Sequence, residues 1–266
     1  MSTQYTDTKS ISVIEGFELG PTKNIPLYAS GNRELLKRTK VSIVGSRKAM
    51  KYSREMTHHL ASKLSHAGIC VVSGGAIGID AIAHKAAGNP NTIAVLPCGI
   101  HHKYPQINCK LLEAIEQEGL LLSQFQPDFQ ATPWSFVVRN ELVVALGELL
   151  IVAEAELGSG TMRSVEFALK MGKPIYVLAH RIGESRATAE LLERGAAKAI
   201  YDIDAFVEMI APKRDSSHAK KDPFLEFCSE NPSYDEAMQR FASKLFEAEL
   251  SGDIEIVNGR VRLLRG

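Results

Sequence analysis

Short apolar runs rich in β-branched residues alternate with helical segments from residue 41 onward. The runs are 41-VSIVG-45, 69-ICVVSG-74, 92-TIAVLP-97, 120-LLLS-123, 149-LLIVAE-154 and 175-IYVLA-179. This alternation predicts βαβ units around a largely parallel sheet. The runs are apolar at consecutive positions, which is typical of strands covered by helices on both faces. We therefore predict an α/β fold with helices on both faces of the sheet.

The pattern changes after residue 211. The segment 212-PKRDSSHAKKDP-223 is polar, charged and bounded by prolines, which indicates a linker. Ser233 and Glu236 then form a capping-box pattern ahead of an apolar helical stripe, and Asn258-Gly259 separates two short strand patterns. We predict an N-terminal arm packing on the core (1–40), a main domain (41–211), the linker (212–223) and a small winged-helix-like domain (224–266).

Composition narrows the class of protein. The chain has 266 residues, of which 45% are hydrophobic, enough to bury a full core. No apolar run reaches the ~20 residues that span a bilayer, and the N-terminus shows no secretory signal, so we expect a cytoplasmic protein without a membrane partner. The four cysteines and eight histidines show no metal-ligand spacing. We expect no metal, no disulfide and no cofactor.

Charge is balanced in total but uneven along the chain. Lys and Arg number 31, as do Asp and Glu. Residues 1–221 carry 26 basic and 22 acidic side chains, whereas residues 222–266 carry 5 and 9. We expect residues 1–221 and residues 222–266 to bind different partners.

Glycine-rich loops follow four of the predicted strands: 45-GSRK-48, 73-SGGAIGID-80, 97-PCGIHHKYP-105 and 156-ELGSGT-161. Ligands of open parallel sheets bind at the carboxyl ends of the strands, where helix N-termini present free N–H groups. Glycine permits tight turns and close approach of a phosphate, although a single glycine loop often has only a structural role. We predict ligand contacts at this edge by Gly45, Ser46, Arg47, Lys48, Ser73, Gly74, Gly75, Gly78, Gly158, Ser159, Gly160 and Thr161.

Cationic and aromatic residues accompany these loops. The Arg47 guanidinium suits phosphate oxygens, unless it pairs with Asp80 or Glu156. Tyr104 is placed to stack on a base while Lys103 meets a phosphate; the alternative is a packing role for the ring. Phe136, Arg139 and Asn140 lie in the first turns of a helix that starts at Thr132-Pro133, and we predict that they flank the edge. A solvated arginine is the alternative for Arg139.

The motifs of common nucleotide enzymes do not occur in this sequence. The pattern G-x-G-x-x-G does not follow the first strand, and no P-loop, nucleophile elbow or pair of catalytic carboxylates occurs. A cationic, glycine-lined edge with aromatic residues is better suited to holding a phosphodiester backbone than to breaking bonds. We therefore predict no catalytic residues and no enzymatic activity.

Six motifs, in this order, resemble the DNA-processing protein A family (DprA, also called Smf) of bacterial natural transformation. They are 26-PLYASGNRELL-36, 42-SIVGSRKAMKYS-53, 73-SGGAIGIDAIAHKAA-87, 94-AVLPCGIHHKYPQIN-108, 139-RNELVVAL-146 and 150-LIVAEAELGSGTMRSVEFALKMGKPIYVL-178. The resemblance implies an extended Rossmann-like domain that binds single-stranded DNA without sequence preference. It also implies protection of incoming DNA, loading of the RecA recombinase with displacement of single-strand-binding protein, and a homodimer.

The resemblance implies that the glycine-serine-arginine loop with Arg47 and the loop around Lys103 contact DNA. Beyond the glycine loops, the predicted DNA-binding set contains Lys103, Tyr104, Asn108, Phe136, Arg139 and Asn140. One departure is Ile77, which stands where relatives often carry a basic residue. The C-terminal helix bears Arg240 and Lys244 among more numerous acids, so we expect this tail to bind protein; reading of duplex DNA is the alternative.

Two rival functions remain open at this point. The segment 158-GSGTMRSVE-166 is similar to a motif of Rossmann-type nucleotide phosphoribohydrolases, in which Glu166 would assist cleavage of a glycosidic bond. The alternative for Glu166 is a solvated position on a helix. In the third hypothesis, the glycine edge is purely structural and the protein is a scaffold.

Overall fold

The computed structural model describes residues 11–18, 24–211, 224, 227–228, 230–251, 254–257 and 259–263. The chain divides into two compact units, residues 1–212 and residues 213–266. The predicted linker 212–223 lies outside the described residues. No helix in the described ranges is long and apolar enough to cross a lipid bilayer.

A nine-stranded sheet forms the centre of the first unit. Its strands are β1 (Ser12–Glu18), β2 (Asn24–Gly31), β3 (Lys40–Val44), β4 (Cys70–Ser73), β5 (Thr92–Val95), β6 (Leu120–Ser123), β7 (Leu149–Val152), β8 (Ile175–Leu178) and β9 (Lys198–Ile200). Their order is β1-β2-β6-β5-β4-β3-β7-β8-β9. In this spatial order, every neighbouring pair from β6 through β5, β4, β3, β7 and β8 to β9 is parallel. The pairs β1–β2 and β2–β6 are antiparallel. The six strands predicted from the apolar runs are confirmed.

Within the described part of the first unit, seven α-helices cover the two faces of this sheet: α1 (Lys51–His66), α2 (Ile79–Ala87), α3 (Cys109–Glu118), α4 (Pro133–Leu146), α5 (Gly160–Lys170), α6 (Arg186–Glu193) and α7 (Ile203–Ile210). Neighbouring residues on a strand point to opposite faces. Val44 accordingly packs in one core cluster with residues of α4, α5 and α6, and Ile43 packs in another with residues of α1, α2 and α7. The predicted two-sided α/β sheet is confirmed.

The strand order reverses at β3. From β3 the chain proceeds outward through β4, β5 and β6, and then returns to place β7 on the other side of β3. Loops that leave β3 and β7 therefore diverge and open a crevice at the carboxyl end of the sheet. Such switch points are where open α/β sheets bind ligands.

Part of the segment assigned as an N-terminal arm belongs to the sheet. β2 pairs with β6 from Tyr28 opposite Ser123 to Gly31 opposite Leu120, and β1 forms the outer edge. Leu27 and Ala29 are fully buried in the same core as the central strands. The sequences of these two strands, SVIEGFE and NIPLYASG, lack the consecutive apolar run that marks the central parallel strands, and for this reason the pattern did not reveal them.

The second unit contains α8 (Tyr234–Ser251, with non-helical dihedral angles at Phe241) and the hairpin strands β10 (Ile254–Val257) and β11 (Arg260–Leu263). The predicted capping box is confirmed, because Ser233 N donates to Glu236 Oε2 at 3.0 Å and Glu236 N donates to Ser233 Oγ at 3.3 Å. The bonds from Ser233 lower the pKa of Glu236. Val257 pairs with Arg260 in the antiparallel hairpin, and Asn258 of the predicted Asn-Gly turn lies outside the described residues. The winged-helix-like arrangement remains a prediction.

Candidate nucleic-acid interface

A cavity of about 760 Å³ opens at the switch point between the loops that follow β3 and β7. Its size lies within the range of small-ligand sites. The residues of the predicted set that line it are Gly45, Ser46, Arg47, Lys48, Phe136, Arg139, Asn140, Ser159, Gly160 and Thr161. The sheet therefore brings three of the predicted segments, distant in sequence, to one cleft.

Glycines in the first two loops allow these loops to pack directly on each other. A Cβ on Gly45 would lie 2.6 Å from Ile79 Cγ1, and a Cβ on Gly78, whose φ is +84°, would overlap the Ser46 carbonyl oxygen. Ile79 N donates to that oxygen at 3.2 Å. Close loop packing thus requires glycine at both positions, in addition to any approach of a ligand.

Ser46 is engaged within the loops. Its N–H donates to the Glu154 carbonyl oxygen at 3.0 Å, and its Oγ accepts from Lys48 N at 3.1 Å. Glu154 Oε2 accepts from Met50 N at 2.8 Å. The Ser46 and Lys48 N–H groups therefore hold the shape of the first loop, and the phosphate-contacting capacity of this loop lies mainly in the two cationic side chains.

Arg47 is exposed, and among the described residues it forms no ion pair. Its Cζ lies 5.5 Å from the centroid of the Phe136 ring. The Tyr104 ring meets the Phe136 ring edge-on, with centroids 5.4 Å apart, and is 47% exposed. Arg47, Phe136 and Tyr104 thus form one row, which we call the arginine–aromatic row. A cation beside accessible rings is the arrangement that holds a single strand by its backbone and its bases.

Lys103 is directed into an internal network. Its Nζ donates to the Ile100 carbonyl oxygen at 2.6 Å and pairs with Glu116 at 3.3 Å. Ser30 Oγ also donates to Glu116 Oε1, at 2.9 Å, and the Lys103 side chain is only 13% exposed. In this conformation the ammonium stabilises the third loop and is not presented to a phosphate.

Arg139 is 4% exposed and lies within the protein wall. Its Nη1 donates to the Gly74 carbonyl oxygen and, at 2.9 Å, to the Val95 carbonyl oxygen, so it joins the carboxyl ends of β4 and β5. A Cβ on Gly74 would overlap the guanidinium. Burial raises the pKa of Asp80 while the Arg139 charge opposes the rise. Arg139 lines the cavity from within the wall, and its guanidinium is buried against these carbonyl oxygens and is not solvated.

Ser73 and Asn108 also act from beneath the second loop. Both are buried; Ser73 Oγ donates to the Ile43 carbonyl oxygen at 2.6 Å, and Asn108 Nδ2 donates to the Gly75 carbonyl oxygen at 3.0 Å. Asp80 Oδ2 accepts from Ala76 N at 3.3 Å. The second glycine loop is therefore held by buried side chains, and Gly74, Gly75 and Gly78 contribute backbone shape.

The fourth glycine loop, residues 156–161, places the N-terminus of α5 at the cavity. Gly158 has φ +70° and the helix begins at Gly160, whose carbonyl oxygen accepts from Asn140 Nδ2 at 3.4 Å. Ser159 Oγ is buried and has no hydrogen-bond partner in the described part of the chain. Ser159 N donates to the Glu156 carbonyl oxygen at 3.2 Å. A helix N-terminus presents free N–H groups, so Gly160 and Thr161, with the Ser159 hydroxyl, form a polar wall able to accept a ligand.

Sequence reasoning missed Glu154, which lines the cavity and is 5% exposed, and Trp134, which is exposed on the first turn of α4 against Phe125 and Phe129. Glu154 is the second residue after β7, and listing polar residues at the carboxyl end of each strand would have found it. Glu166 does not line the cavity; it lies on the exposed side of α5 and pairs with Arg163 at 2.9 Å.

The fold and the cleft define a class: an open-sheet α/β protein with a ligand cleft at its switch point and an exposed arginine beside aromatic rings. The family described as DNA recombination-mediator protein A matches residues 17–211. The chain belongs to this family, and the resemblance found in the sequence is confirmed.

Individual relatives agree with this assignment. A solved structure of DNA processing protein A from Helicobacter pylori, characterised for its single-stranded DNA binding mode, is 40% identical, with a TM-score of 0.72, and the match covers 76% of this chain and 96% of that one. The X-ray structure of DNA processing protein A from Streptococcus pneumoniae is 32% identical, with a TM-score of 0.64, covering 69% and 66% of the two chains. DNA processing protein DprA from Bacillus subtilis is 30% identical over 199 residues, which are 73% of this chain and 66% of that protein.

Proposed function

We propose that this protein binds single-stranded DNA during natural transformation and protects the incoming strand. The observation that carries the proposal is the arginine–aromatic row at the mouth of the cleft. Family membership and the similarity to the Helicobacter pylori protein support the same conclusion.

The chemistry of the row suits an unpaired strand. Arg47 and Lys48 attract phosphates at the rim, and the free N–H groups of the first turn of α5 add donors. Phe136 and Tyr104 offer ring surface to bases, which contributes ~1–3 kcal/mol per stacked base and tolerates any base. Duplex DNA keeps its bases stacked on each other, so this part of the interaction is available to single strands only.

Membership of the family supports a proposal for the wider role of the protein. We propose that the protein acts by binding and not by catalysis, works as a homodimer in the cytoplasm, and helps load the RecA recombinase onto the strand while single-strand-binding protein is displaced. The acid-rich C-terminal unit is proposed to bind a protein partner. A loading assay tests this role: RecA-dependent strand exchange on DNA coated with single-strand-binding protein should start faster when this protein is added.

The binding proposal is tested by the salt dependence of affinity for an oligo-dT strand and for its duplex. The Arg47→Ala variant should bind the strand more weakly, and its log–log salt slope should be lower in magnitude by about 0.7, the value for one phosphate contact. Arg194→Ala is the matched control, because Arg194 is exposed directly after α6, pairs with Glu190 and does not line the cleft. Unchanged affinity and slope for Arg47→Ala would remove Arg47 from the site, and absence of binding to either DNA at low salt would favour the scaffold hypothesis.

A further inference from the structure

The first turn of α1 carries an exposed aromatic ring outside the cleft. Tyr52 is 41% exposed, and its ring meets the His180 ring edge to face, with centroids 5.5 Å apart. Met50, which precedes the helix, lines the cavity, whereas Tyr52 and His180 do not. This pair of rings therefore lies beside the cleft and is open to a contact of its own.

Hydrogen bonds fix the ring that supports Tyr52. His180 is the second residue after β8, and its Nδ1 donates to the Leu178 carbonyl oxygen at 2.9 Å, since a carbonyl oxygen only accepts. His180 Nε2 lies 2.9 Å from the Oγ of Ser53, which is fully buried on α1. Both nitrogens of the supporting ring are therefore engaged. An aromatic surface that is positioned before binding loses little conformational freedom when a ligand packs on it.

Positive charge accompanies the Tyr52 ring. Among the seven helices of the first unit in the described part of the chain, α1 has the largest excess of basic over acidic side chains, three against one, whereas α3 and α7 are acidic. Lys51 directly precedes Tyr52, and its side chain is 81% exposed. Its pair with Glu55, at 3.6 Å, is a solvent-exposed pair one helical turn apart, which contributes little and leaves the ammonium available to an anion.

The cleft and this helix face are continuous along the chain. The arginine–aromatic row reaches Arg47, Lys48 follows at the rim of the cleft, and Lys51 and Tyr52 come next at the start of α1. A strand that lies along the row and continues past Arg47 meets these residues in turn. Its phosphates fit the lysines and its bases fit the ring, whereas an apolar protein surface fits only the ring.

We propose that Tyr52 is a second base-stacking platform, outside the cleft, and that Lys51 holds the neighbouring phosphate of the same DNA strand. This inference rests on the proposed function, and it extends the contact surface from the cleft onto α1. Strands long enough to reach α1 therefore bind more tightly than strands that fill only the cleft. They also show a steeper dependence of affinity on salt, by about 0.7 in the log–log slope for the added phosphate contact.

The test uses fluorescence anisotropy with labelled oligo-dT strands of about 4 and about 16 nucleotides, the limits of common single-strand site sizes. Tyr52→Ala should weaken binding of the long strand by at least about fivefold, the lower end for loss of one stacked base, and leave the short strand unaffected. Tyr52→Phe keeps the ring and should bind both strands as the wild type does. Tyr201→Ala is the matched control, because Tyr201 directly follows β9, is 86% exposed and does not line the cleft.

The salt dependence provides a second, independent measurement. Lys51→Ala should lower the slope for the long strand by about 0.7 and leave the slope for the short strand unchanged. If circular dichroism shows that Tyr52→Ala does not fold, this comparison decides the question, since Lys51 is exposed and its loss does not endanger folding.

The outcomes separate this inference from the proposed function. Wild-type affinity of Tyr52→Ala for both strands, or an unchanged slope for Lys51→Ala, overturns the platform and leaves this face of α1 to a protein partner. Equal weakening of both strands by Tyr52→Ala also overturns it, because the ring would then act only by supporting the cleft. In each of these cases single-strand binding stands. Failure of the wild type to bind either strand refutes the proposed function itself.

Discussion

Replacing Arg139 by Met tests whether this arginine supports the cleft or contacts DNA. The guanidinium donates to the carbonyl oxygens of Gly74 and Val95 and lies close enough to Asp80 to counter the rise in its pKa. Methionine fills a similar length with apolar atoms and offers no donor. The substitution therefore leaves two carbonyl oxygens without this partner and Asp80 without its balancing charge.

The expected loss of stability is large. Hydrogen bonds from a charged donor contribute ~1.5–3 kcal/mol each, and Arg139 donates two of them to buried carbonyl oxygens. These contributions overlap because they belong to one side chain, so we expect the free energy of unfolding to fall by about 3–5 kcal/mol in total. Total stability is typically ~5–15 kcal/mol, so the effect is readily measured.

Urea denaturation of the wild type and the Arg139→Met protein measures this loss. DNA affinity should also fall, because the second loop loses its support, but the salt slope should keep its wild-type value. A variant as stable as the wild type whose slope is reduced by about 0.7 would show that Arg139 contacts a phosphate and would refute the assignment. The double variant Asp80→Asn with Arg139→Met is the control: it should recover part of the stability, since no uncompensated carboxyl group remains.

Three further predictions concern loop packing, pH and catalysis. Gly78→Ala should destabilise the protein by clearly more than Gly172→Ala. Both glycines have positive φ, but only at position 78 would the Cβ overlap a neighbour, so equal losses in urea denaturation would contradict this prediction. Burial lowers the pKa of His84 from 6.5 to about 3, so protonation favours the unfolded chain. The stability contributed by neutral His84 is complete above pH 6.5 and is lost as the pH falls toward 3, by up to ~1.4 kcal/mol per pH unit. The free energy of unfolding of His84→Gln, measured in urea at several pH values, should lack this pH-dependent component. Incubation with AMP should release no free adenine; release that Glu166→Gln abolishes would establish the enzymatic alternative.

The strongest sequence signals were those that depend on local pattern. Consecutive apolar residues marked the six central strands, because strands covered on both faces must be apolar throughout. Ser233 and Glu236 marked the start of α8 because they form reciprocal hydrogen bonds and lie only three positions apart in the sequence. The sequence pattern did not predict β2, because the position of this strand in the sheet is set by its pairing with β6, almost a hundred residues later in the chain.

The sequence predicted the location of the site more accurately than the role of each side chain in it. Strand-to-helix loops at the carboxyl edge were the right places to look, since all parallel strands end at the same edge. The sequence did not predict the direction in which each side chain points. Arg47 and Tyr104 are exposed as expected, whereas Arg139 and Lys103 turn inward.

The sequence by itself determined the class of fold, the glycine loops and the family, because these depend on the order of residues along the chain. Only the tertiary structure decided which cations remain available to a ligand. An arginine or lysine is drawn inward when carbonyl oxygens and a carboxylate from other elements converge on it, as Gly74, Val95 and Asp80 do on Arg139. That convergence is set by the packing of the sheet, and no local pattern records it.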